Sequence, residues 1–147
     1  MPIVDMDVTT TVSPDRVRAA LIDFSARRPE IWPGITPKQY QVFNVGETEA
    51  EVREGTSGFW AREHYDWSDP QTVRWTVIES NFNAPGSYVQ ATITPRDGGG
   101  SNIHIVWNRT PTSFVGRIAA LGIRVSKGGP VKSSFKKGLA KLEQASG

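Results

Sequence analysis

The chain of 147 residues has no cysteine and only two histidines. Without cysteine there can be no disulfide, no thiolate nucleophile and no cysteine-ligated zinc or iron–sulfur centre, a composition at home in a reducing compartment. His64 shares a strand face with Asp66, but His104 is far along the chain and no recognised ligand spacing joins them, so no metal site is expected. Also missing is a GxSxG elbow, and the serines fall mainly in turns and the terminal helix, which leaves nucleophilic catalysis without support. There is no long apolar run, and the opening "MPIVDMDVTT" carries acids where a signal peptide carries bases. Neither a leader nor a membrane span is expected, and the expected location is the cytoplasm. No cofactor is implied.

What is present suits one domain over residues 1–147, since 37% hydrophobic content on this length closes a single core. The net charge of +2 hides a division. Residues 1–111 hold 10 Lys/Arg against 14 Asp/Glu, whereas residues 112–147 hold 7 Lys/Arg against one acid, Glu143. A basic C-terminal segment reads first as the solvated face of an amphipathic helix. A transient contact with an anionic membrane is the second reading. The bases are not interleaved with aromatics, so no nucleic-acid partner is expected.

"VDMDVTTTV" alternates strictly and predicts a half-buried strand. In "SPDRVRAALIDF", Ser13 is an N-cap, Pro14 the first helical residue, and Val17, Ala20, Leu21 and Phe24 recur at helical spacing. "SARRPEIWPGITP" predicts a second short helix, broken by Pro29 and ended at Pro33 and Gly34. Six strands follow, near 38–45, 48–55, 59–67, 72–79, 87–95 and 102–109, punctuated by "NVGE", "GTSG", "SDPQ" and "RDGGGS". Their short connections make neighbours antiparallel. The last segment is an amphipathic helical arm in two pieces, with Phe114, Ile118, Leu121 and Val125 on the first stripe and Val131, Phe135, Leu139 and Leu142 on the second. "KGGP" divides them, as a static kink or as a hinge.

This order, with "SPDRVRAALIDF" after an alternating strand, "REHYDWSDPQTVRWTV", the loop "ESNFNAPGS" and the closing basic helix, resembles the START-like, birch-pollen-allergen-like superfamily (SRPBCC), within it the polyketide cyclase/dehydrase and lipid transport branch. The resemblance covers nearly the whole chain. It implies an α+β helix-grip fold: two short helices after the first strand, and a seven-stranded curved antiparallel sheet wrapped around a long C-terminal helix. It also implies a cavity between sheet and helix that holds an apolar or amphipathic ligand.

Alternation assigns the strand faces. Val52 and Glu54, then Phe59, Ala61, Glu63, Tyr65 and Trp67, then Val73, Trp75, Val77 and Glu79, fall on one mostly apolar face. Val89, Ala91, Ile93, Ile103, Ile105, Trp107 and Arg109 continue it. Arg62, His64, Asp66, Arg74 and His104 lie opposite, on a face polar enough to meet water. Charges on the inner face must be paired, solvated or neutralised, which singles out Glu54, Glu63, Glu79 and Arg109 as ligand anchors or as structural ion pairs. The expected pocket takes Glu54, Phe59, Glu63, Tyr65, Trp75, Val77, Val89, Ile105 and Trp107 from the sheet. The helical arm adds Phe114, Ile118, Leu121 and Phe135. Binding of a hydrophobic small molecule or lipid is the expected function. The alternative is a polyketide aromatase/cyclase or dehydrase with Glu63, Glu79, Tyr65 and Arg109 as candidates for general acid/base work. The loop "SNFNAPGS", with Phe82, reads as a lid or an ordinary wide turn.

Overall fold

The computed structural model describes residues 3–56, 58–112, 117–118, 121–122 and 129–145. Strand β1 (Val4–Thr10) leads into α1 (Pro14–Leu21) and α2 (Arg28–Ile31). After a 3-10 turn at Pro37–Gln39 come β2 (Gln41–Val45), β3 (Glu49–Thr56), β4 (Phe59–Asp66), β5 (Thr72–Ser80), β6 (Tyr88–Pro95) and β7 (Ser101–Asn108). The C-terminal helix, here α3, is Gly129–Ala145. All seven strands form one sheet in the order β1-β7-β6-β5-β4-β3-β2, and every pairing is antiparallel.

Local chemistry explains these elements. The Ser13 hydroxyl accepts from the Arg16 backbone N–H, and Pro14 at the first turn forfeits a donor that has no partner there. The same logic corrects the reading of Pro29: it stands in the first turn of α2 and starts that helix instead of breaking it. The strand expected from 38 begins at Gln41, because Pro37 opens a 3-10 turn. In the glycine turn between β6 and β7, Gly100 has φ +86° and a Cβ there would stand 2.1 Å from the Thr10 carbonyl, so only glycine lets this hairpin meet the end of β1.

The sheet's concave face supplies most of the core, with Val8, Val52, Val73, Val89, Ala91, Ile103 and Ile105 fully buried. α1 contributes Val17, Ala20 and Leu21, and α3 contributes Val131 and Leu139. Two polar clasps fix the helices. The Arg18 guanidinium donates to the carbonyls of Trp67, Asp69 and Pro70, so α1 grips the turn between β4 and β5. Thr10 donates to Glu143 at 2.9 Å and Arg16 to the Leu142 carbonyl at 3.0 Å, tying the end of α3 to β1 and α1. α3 lies against α2 where Gly138 meets Trp32: a Cβ at 138 would come within 2.3 Å of the indole ring.

No helix among the described residues is long and apolar enough to cross a membrane. Lys136, Lys137 and Lys141 are exposed on α3, and Lys141 reaches the Glu30 carbonyl. Pro130 stands in the first turn of α3, as the pattern implied, while 123–128 and with it the hinge question lie outside the described residues.

Candidate functional site

Between the concave face, the helical elbow and the first turns of α3 lies a cavity of about 340 Å³. Its sheet wall is Phe59, Ala61 and Tyr65 of β4, Trp75 of β5 and Trp107 of β7. Leu21, Trp32 and Ile35 close the elbow side, Val131, Ser134 and Phe135 the helix side, and Phe82 stands in the loop after β5. The aromatic rings brace one another. Trp75 stacks between Tyr65, at 5.3 Å and 16°, and Phe135, at 6.3 Å and 25°. Phe59 meets Phe82 edge-on at 5.4 Å. Rings held this way are fixed by their neighbours and present flat apolar walls.

Two ion pairs are set into these walls. Arg28, 2% exposed, donates through Nε to Glu54 Oε2 at 2.5 Å, through Nη2 to the Tyr65 hydroxyl at 3.0 Å, and through Nη1 to the carbonyls of Leu21 and Asp23. Its guanidinium also lies over the Phe24 ring at 4.6 Å. Tyr65 in turn donates to Glu54 Oε1. Burial, followed by the neighbouring Glu54 charge, pushes the Tyr65 hydroxyl well above the usual tyrosine range, so it stays a donor. Every nitrogen of Arg28 is used. A charge this buried persists because its partners replace water.

The second pair crosses the hollow of the sheet. Arg109, just beyond β7, donates through Nη2 to Glu63 Oε2 on β4 at 3.0 Å, spanning β5 and β6. Both side chains are buried, and the guanidinium lies 4.9 Å from the Trp107 ring centre. Its Nε is buried with no hydrogen-bond partner. Burial pushes the Glu63 carboxyl up to about 7; Arg109 pulls it down and the nearby Glu54 charge adds to the rise.

Glu54, Phe59, Glu63, Tyr65, Trp75, Trp107, Arg109 and Phe135 therefore line one cavity. Val77, Val89 and Ile105 are buried in the core but do not line it. Glu79 is a correction. β4 pairs Glu63 with Val77 and Arg62 with Glu79, which leaves Ile78 as an extra residue on β5. That bulge turns Glu79 to the outer face, exposed beside Arg62. Ile118 and Leu121, expected in the pocket, are 57% and 58% exposed and are not among the residues that line the cavity. Phe114 lies outside the described residues. Sequence reasoning missed Arg28, Trp32 and Ile35, which sit in the elbow where no strand alternation assigns a face. Among the described residues no cluster of His, Asp and Glu is arranged to hold a metal ion. His64 lies on the outer face, 3.6 Å from Glu49.

No protein-family model matches the sequence, and no curated protein matches it significantly. Solved structures do match over the full length. The protein TTHA0849 of Thermus thermophilus superposes with a TM-score of 0.78 at 16% identity, over 99% of this chain and 100% of that one. The Zhui aromatase/cyclase of Streptomyces sp. R1128 gives 0.75 at 14%, over 97% and 94%. A START superfamily protein of Mycobacterium smegmatis gives 0.75 at 13%, over 97% and 98%. At such identities the likeness shows the fold alone: the chain shares the helix-grip α+β fold of these structures, a START superfamily protein among them.

Proposed function

We propose that the protein binds one hydrophobic small molecule or lipid in the cavity between sheet and α3. The observation that carries this is the cavity itself, about 340 Å³ of space walled by braced aromatic rings. A volume of this order accommodates a small organic ligand. Burying about 200 Å² of apolar ligand surface gains about 5 kcal/mol before the costs of association. The ion pairs supply orientation. Native mass spectrometry of protein purified from its own host tests the reading. The expected spectrum shows one non-covalent adduct per chain; a chain that emerges unladen and takes up none of the apolar molecules offered overturns it.

A second reading, a polyketide aromatase/cyclase or dehydrase, is favoured by one observation. Glu63, with its carboxyl near neutrality, faces the cavity beside a cation, as a general acid or base must. One structural neighbour is named an aromatase/cyclase. On this reading the protein accelerates dehydration of an aromatic β-hydroxy ketone, followed by absorbance, and Glu63→Gln slows it by about 100-fold or more. A native protein that leaves the rate at its solution value rejects catalysis and leaves binding intact.

A further inference from the structure

The two buried arginines differ in one respect. On Arg28 the edge formed by Nε and Nη2 is saturated, Nε by Glu54 and Nη2 by Tyr65. On Arg109 the same edge is half used: Nη2 holds Glu63 while Nε, buried in a side chain only 9% exposed, has no partner. A buried donor left without an acceptor carries the cost of its desolvation, and such a site is completed by an acceptor that arrives with a ligand. The two N–H groups of this edge match the spacing of a carboxylate's oxygens.

An anion can enter only if charge is conserved. The ionisable groups facing Glu63 are Arg109 at the end of β7, Glu54 on β3, Arg28 on α2 and Tyr65 on its own strand; α3 presents the neutral Ser134 and Phe135 to the cavity. Arg28 and Glu54 already balance each other. A further negative charge beside Arg109 would leave two carboxylates sharing one guanidinium where the Arg109 and Glu63 side chains are both buried, which is unfavourable.

Resting on the cavity reading above, we propose that the ligand is a flat aromatic carboxylate. Its two oxygens take the Nε and Nη2 edge of Arg109 as its rings lie against Trp107 and Trp75. Glu63 is released from the guanidinium and takes one proton from solvent. The cavity is neutral before and after: the ligand's negative charge replaces that of Glu63. Because Glu63 is already disposed to hold a proton near neutrality, the exchange is open at physiological pH.

Calorimetric titration with 2-naphthoate and its neutral counterpart 2-naphthamide, from about pH 6 to 9 in buffers of different ionisation enthalpy, tests this. The expected result is one naphthoate per chain, close to one proton taken up above about pH 7, and affinity falling about tenfold per pH unit there. 2-Naphthamide binds with no proton uptake and no pH dependence. Arg109→Met weakens naphthoate about 10- to 100-fold and spares naphthamide, which also shows that the variant keeps its cavity. Glu63→Gln binds naphthoate with a pH-independent affinity. If naphthamide binds but naphthoate binds no more tightly and takes up no proton, the carboxylate proposal falls and the cavity reading stands. If neither binds, both fall.

Discussion

Glu63 keeps its proton in the folded chain to about pH 7, whereas an exposed glutamate gives it up near 4.5. The folded state therefore binds more protons than the unfolded state between those values, and stability falls as pH rises through them. The loss is on the order of 3 kcal/mol from this one group. Glu63→Gln, which cannot ionise, should match the native protein at about pH 5 and exceed its unfolding free energy by roughly that amount at about pH 8. Urea denaturation at the two pH values measures the difference; parallel behaviour of the two proteins would contradict it. Arg28 has the opposite character. Arg28→Met strands the Glu54 carboxylate in the wall and should cost about 3–5 kcal/mol, with part of that recovered in the Arg28→Met, Glu54→Gln double variant. An additive double variant would show that the two do not act as a pair. Alternation placed Glu54, Glu63, Tyr65 and Arg109 inward because each sits in or beside a regular strand. Arg28 follows "SAR" in an irregular elbow, where no periodicity distinguishes a buried arginine from a solvated one.

The elements show where period-two reasoning stops. Alternation held along β4 from Phe59 to Asp66 and so divided "REHYDWSDPQTVRW" between two faces, with Glu63, Tyr65 and Trp67 inside and Arg62, His64 and Asp66 outside. On β5 it held from Val73 to Ile78 and failed at Glu79, because the bulge adds Ile78 as an extra residue and the side chains after it change face. Nothing in "TVIES" announces that residue. A bulge is set by the partner strand and by the wide loop that follows. The helices were legible through their caps and prolines, but the approach of α3 to α2 was not. Gly138 permits that approach. Gly138→Ala should push α3 away from Trp32, cost about 1–3 kcal/mol and loosen the cavity wall. Thermal unfolding measures the first effect and Trp fluorescence the second; unchanged stability would mean that α3 does not rest on the indole.

For the whole molecule, the fold was legible through the family resemblance, which rests on element order together with the stretches "SPDRVRAALIDF", "REHYDWSDPQTVRWTV" and "ESNFNAPGS" and the closing basic helix. The order of a strand, two short helices, six closely spaced strands and a final amphipathic helix is compatible with the sheet that the resemblance implies, and the seven strands do form one antiparallel sheet. The cavity follows from the same geometry, since one curved sheet and one helix enclose space that side chains fill only in part. Its volume and closure depend on how Trp32, Trp75 and Phe135 pack together, which no single strand or helix pattern encodes. Ala61, at the floor on β4, offers a way to fill the space from within. Titration with the uncharged apolar dye N-phenyl-1-naphthylamine, on the native protein and on Ala61→Phe shown by circular dichroism to be folded, tests the central claim most directly. The account predicts one saturable site per chain in the native protein, displaced by other apolar molecules, and its loss in Ala61→Phe. No saturable site, or undiminished binding in Ala61→Phe, would contradict it.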